Sequence, residues 1–89
     1  MSAELKQKFE EIAEKMRNSP DVVKGLPDDK KLEIYSLFKQ GSVGDNSTDK
    51  PGMLDFKGKA KWEAWNGKKG MSQEEAMQAY VDLVSALLG

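Results

Sequence analysis

The chain has 89 residues, no cysteine, no histidine and a formal net charge of −1 at pH 7. That length supports one domain with a small core. The two missing residue types exclude disulfides, thiolate nucleophiles, the usual zinc ligands and histidine-based acid–base catalysis, so neither a metal centre nor an enzyme is expected.

From the N-terminus, a helix is predicted to start near Ser2. It carries Leu5, Phe9, Ile12, Ala13 and Met16 on one apolar stripe and stops before Asn18-Ser19-Pro20. Its opening residues alternate charged and apolar positions and lack the unbroken apolar core of a signal peptide. No later run is long enough to span a bilayer, so a soluble cytoplasmic protein without stable membrane insertion is expected. The connector that follows holds Gly25 and Pro27, but Val22, Val23 and Leu26 are apolar enough to pack. An ordered loop with room for one short helical turn is expected there.

A second helix is predicted from Pro27 to Asp29 onward, with acidic residues at the positive end of its dipole and Gly41 as its terminator. Its Leu32, Ile34, Tyr35, Leu37 and Phe38 spread over more than one stripe, as in a helix that touches neighbours on two sides or lines a groove. Residues 41–52 are rich in glycine and short polar side chains and form the longest loop, a place where small domains often carry function. The third helix covers roughly Asp55 to Trp65. Phe56, Ala60 and Ala64 form one row of it, Trp62 and Trp65 an adjoining one, and Gly67 with Gly70 end it. Ser72 and Glu75 form a capping box that opens the fourth helix, whose stripe is Ala76, Tyr80, Leu83, Val84 and Leu87. No strand pattern competes, and the fold class is an all-α four-helix bundle.

Residues 34–69 hold seven lysines against four acidic residues, a local +3 on a nearly neutral chain. Such a patch suits a discrete anionic ligand better than a nucleic acid, and the lysines of KGKAKW lack any recognition-helix or RNP-like frame. Tyr35 and Lys39 lie four residues apart, as do Lys57 and Lys61, so each pair projects from one helical face and can hold a phosphate. Lysines at that spacing are equally at home on a solvated face. Trp62 and Trp65 read first as core residues rather than stacking platforms. The first helix is a poor membrane-surface element because Glu4, Glu10, Glu11 and Glu14 would be repelled by anionic lipid.

Four motifs standing in order, Tyr35–Gln40 (Tyr-x-x-Phe-Lys-Gln), Val43–Asp45 (Val-Gly-Asp), Pro51–Met53 (Pro-Gly-Met) and Lys57–Trp65 (Lys-x-x-x-Lys-Trp-x-x-Trp), closely resemble those of the acyl-CoA-binding proteins. The resemblance implies one acyl-CoA-binding domain over residues 1–89 and an up-down-down-up bundle. It also implies reversible binding of medium- and long-chain acyl-CoA esters by a monomeric carrier that can serve acyl-CoA-using enzymes. Acyl-CoA would then be a ligand, with no cofactor. By the same resemblance, Tyr35, Lys39 and Lys61 align with positions that grip the phosphates of coenzyme A, and Lys57 is carried over with them. Tyr80 aligns with a position that packs on the adenine. Phe9, Lys31, Leu32 and Phe38 fall in the neighbourhood of the apolar trough for the acyl tail and its aromatic rim. Two of these depart from the family pattern: Phe38 stands where tyrosine is usual, and Lys31 stands where an apolar residue is common. The alternative reading is a helical interaction module whose groove takes a partner helix.

Overall fold

The computed structural model of the protein describes residues 3–89; the expected start of the first helix near Ser2 lies outside them. Five helices follow in order: α1 (Ala3–Arg17), α2 (Pro20–Lys24), α3 (Asp28–Ser42), α4 (Phe56–Asn66) and α5 (Gln73–Leu88). There is no strand among the described residues. The short helix α2 is the helical turn of the connector. Proline at its first position has no amide to leave unpaired, and Gly25 caps its other end.

The stripe of α1 is buried as its spacing dictates, with Phe9, Ile12, Ala13 and Met16 all facing inward. Helix α5 opens with the reciprocal capping box: Glu75 N donates to Ser72 Oγ at 3.1 Å and Ser72 N donates to Glu75 Oε1 at 3.3 Å. It buries Met77 and Val81 as well as Ala76, Tyr80 and Val84, because it packs against both α1 and α3. The core lies where these three helices meet. Lys61 sits over Tyr35 and Lys39 over Trp65, so α3 and α4 ascend together. The C-terminal end of α3 meets the start of α5 at Met77, so α5 runs back, giving the up-down-down-up bundle.

Gly41 is a correction to the sequence reading. It does not end α3, which continues to Ser42; it is buried inside the helix. A Cβ there would meet Met77 Cγ at 3.1 Å and Phe9 Cε1 at 3.3 Å, so glycine is needed for the close approach of α3 to α5 and α1. The turn itself falls at Gly44, whose φ of 97° is in the left-handed region. The row of Phe56, Ala60 and Ala64 carries no direction in the sequence; Phe56, the first residue of α4, is 73% exposed.

Candidate functional site

The long segment between α3 and α4 is pinned from both sides. Trp65 Nε1 donates to the Gly44 carbonyl at 2.8 Å and Trp62 Nε1 to the Thr48 carbonyl at 3.0 Å. Buried Asn46 donates to the Trp62 carbonyl and accepts from Thr48 N and Oγ1. The fully buried Gln40 donates to the Met71 carbonyl at 2.7 Å and to Asp45 Oδ1 at 2.9 Å. The Val-Gly-Asp and Lys-Gln motifs are thus a clamp that fixes the ends of α3, α4 and α5 relative to one another.

Asp45 joins this clamp at its surface. The Gly70 amide donating to its carboxylate, then Gln40, then nearby Lys69 hold its carboxyl below the ordinary 3.8 against some desolvation. A depressed carboxyl stabilises the fold above its unfolded value, and that contribution is lost as pH falls through the folded value. Asp45→Asn is therefore expected to melt below the wild type at neutral pH. The two melting curves should converge in acid below about 3.8, as followed by circular dichroism.

A groove of about 320 Å³ lies between α1, the α2 connector and α3, with Tyr80 of α5 reaching its wall. Met16, Val23, Leu26 and Ile34 make it apolar, and Arg17, Lys31 and Tyr35 also border it. A smaller cavity of about 200 Å³ adjoins it, sharing Ala13, Arg17 and Phe38 and adding Phe9. Phe9, Phe38 and Tyr80 form one aromatic cluster: Phe9 stacks on Phe38 at 5.6 Å between centroids and meets Tyr80 edge-on at 5.0 Å, with Phe38 and Tyr80 5.9 Å apart. Burial holds the Tyr80 phenol above its ordinary value, and the Arg17 guanidinium pulls it partly back.

On the α4 side of Tyr35 stand ammonium groups without carboxylates. Lys61 Nζ lies 5.6 Å from the centre of the Tyr35 ring and Lys39 Nζ lies 4.9 Å from that of Trp65. Neither lysine makes an ion pair among the described residues, whereas Lys50 pairs with Glu63 at 3.1 Å and Lys68 with Glu33 at 2.6 Å. An anion approaching Tyr35 from this side would meet two charges that need not give up a partner.

Of the residues singled out in the sequence, Lys31, Tyr35, Phe38 and Tyr80 line the groove, and Phe9 lines the adjoining cavity. Lys39 and Lys61 flank Tyr35 as described. Leu32 and Lys57 line neither cavity. The groove face of α3 is Lys31, Ile34, Tyr35 and Phe38, and Leu32 is rotated about 100° from Lys31 onto the helix flank; Lys57 is exposed on α4. Sequence reasoning overlooked Arg17, although it directly follows Met16 at the end of a buried stripe. It read Val23 and Leu26 only as packing residues. Among the described residues no cluster of acidic side chains is arranged to hold a metal ion, and no helix is long and apolar enough to cross a membrane.

The family model for Acyl CoA binding protein matches residues 6–84. The acyl-CoA-binding protein homolog of Drosophila melanogaster is 51% identical over 84 residues, covering 94% of each chain. Acyl-CoA-binding protein homolog 1 of Caenorhabditis elegans is 62% identical over 60 residues, 67% of this chain and 70% of the relative. The crystal structure of Oryza sativa Acyl-CoA-Binding Protein 2 superposes with a TM-score of 0.85 at 42% identity, covering 94% of this chain and 90% of that one. With its motifs in order, its helices in that arrangement and matches of this extent, the chain belongs to the acyl-CoA-binding protein family.

Proposed function

We propose that the protein binds medium- and long-chain acyl-CoA esters reversibly and acts as an intracellular carrier and pool former for them. The observation that carries this reading is the junction at Tyr35, where an apolar groove meets two ammonium groups that have no carboxylate partner among the described residues. The two ends of the ligand are handled by different physics. The groove covers an acyl tail, and about a dozen methylenes at ~0.8 kcal/mol each contribute on the order of 10 kcal/mol before ordering costs. Lys39, Lys61 and Tyr35 compensate and orient the phosphates of the head, with Lys57 in reserve one turn along α4. Tyr80 offers an aromatic wall and a neutral phenol.

The reading takes residues 1–89 as one acyl-CoA-binding domain, monomeric and cytoplasmic, with no catalytic step of its own, passing its ligand to enzymes that use acyl-CoA. The partner-helix alternative is not favoured, since the relatives are named for acyl-CoA binding. Titration with esters of increasing length tests the reading: affinity is expected to rise with each methylene while the tail still finds apolar wall, and a length-independent affinity would sink it.

Lys31 gives this test a handle. It borders the groove, and a lysine there can lay its methylenes along a tail while its ammonium stays in water. Lys31→Leu covers more of the tail and is expected to tighten binding of palmitoyl-CoA while leaving octanoyl-CoA nearly unchanged. Calorimetry on both esters checks it; an equal shift for the two would place Lys31 beside the head instead.

A further inference from the structure

Among the described residues, most of the large apolar side chains that stand exposed are gathered at one place. Met53, Leu54 and Phe56 are 83%, 88% and 73% exposed. They are held outward by a built turn: Asp55 N donates to the Gly52 carbonyl at 3.1 Å, which sets Met53 and Leu54 at the two central positions of the turn. The Asp55 side chain then caps α4 by accepting from Gly58 N at 3.0 Å, leaving Phe56 on the first helical position. On the entry side, Lys50 lies over Trp62 and pairs with Glu63. A side chain added at Gly52 would meet nothing within 4 Å, so the tip stands in open space. Residues 50–61 carry four lysines against one carboxylate, and that carboxylate is the one occupied in capping.

We propose that this turn is a peripheral docking surface for an anionic lipid bilayer, with Met53, Leu54 and Phe56 entering the headgroup–acyl boundary and the surrounding lysines meeting lipid phosphates and carboxylates. A convex tip of three apolar side chains is a poor match to a protein partner, whose stable interfaces need a broad complementary area. It does match interfacial insertion, where a few apolar groups and a basic rim act together. Because α4 runs alongside α3 with Lys61 level with Tyr35, the turn lies toward the end of α3 where Lys31 borders the groove. A docked molecule would hold that end of the groove near the lipid surface, where an acyl ester partitions. This use rests on the proposed acyl-CoA function; the docking itself does not.

The test is sedimentation of ligand-free protein with phosphatidylcholine vesicles, with and without phosphatidylserine, at low and high salt. Binding is expected to favour the phosphatidylserine vesicles and to fall with salt. Lys59→Ala should weaken it about fivefold, and Met53→Ser combined with Leu54→Ser about tenfold. Unchanged thermal melts and palmitoyl-CoA affinity of the double variant would support assigning the loss to the turn. Equal binding to both vesicle types, or a double variant that binds like the wild type, overturns the proposal. So does salt-insensitive self-association abolished by the same double variant, which would make the turn a contact between copies. A protein that binds the anionic vesicles but not palmitoyl-CoA supports the docking surface and overturns only the proposed carrier function.

Discussion

Trp65→Ala is expected to destabilise the protein by about 3 to 5 kcal/mol, the range for truncating a buried large aromatic. Trp65 is only 6% exposed, joins α4 to α3, and donates from its indole to the Gly44 carbonyl at 2.8 Å. Its loss removes packing volume, unties the long loop and takes away the ring under Lys39 at one stroke. Small domains have about 5 to 15 kcal/mol in all, so the variant should be close to unfolding at physiological temperature. Trp65→Phe, which keeps most of the volume but loses the donor, should cost nearer 1 kcal/mol from the hydrogen bond alone. Urea titrations of both variants check this. A Trp65→Ala protein with the wild-type midpoint would mean that α4 is held by other contacts.

Lys39→Ala and Lys61→Ala are each expected to weaken palmitoyl-CoA binding by about 1.5 to 3 kcal/mol, the range for hydrogen bonds to charged groups. Neither lysine has a carboxylate partner among the described residues, so removing it strands no buried charge and folding should hardly change. Both rest on aromatic rings, where exposed cation–π contacts are worth only about 0.5 to 1 kcal/mol. Thermal melts run beside calorimetric titrations separate the two effects. A variant that loses stability but keeps affinity would make these lysines structural.

What could be read from the sequence was what depends on local spacing. The inward stripe of α1, the capping box before α5 and the divided faces of α3 each follow from residues within a few turns of one another, and each is found in the fold. What could not be read depends on a distant partner. Gly41 looks like a helix stop because glycine usually ends helices; its actual role is set by Met77 and Phe9, which lie far away in sequence. Leu32 and Lys31 are adjacent and both plausible beside a groove, yet only the rotation of α3 against α1 decides that Lys31 faces it and Leu32 does not. Val23 and Leu26 become groove wall only once the α2 connector is seen to pack against α1. Asp45 gave no hint that its carboxylate joins Gln40 to Gly70, since Gly70 approaches it only through the tertiary fold.

The central claim is that one molecule is held at both ends, by an apolar groove and by the ammonium groups beside Tyr35. Calorimetric titration of the same protein preparation with palmitoyl-CoA, coenzyme A and palmitate tests it most directly. The ester is predicted to bind more tightly than either half by orders of magnitude, because only it engages both regions and the ordering cost of association is incurred once. Palmitate binding as tightly as palmitoyl-CoA would contradict the account, since the head site built from Tyr35, Lys39 and Lys61 would then contribute nothing.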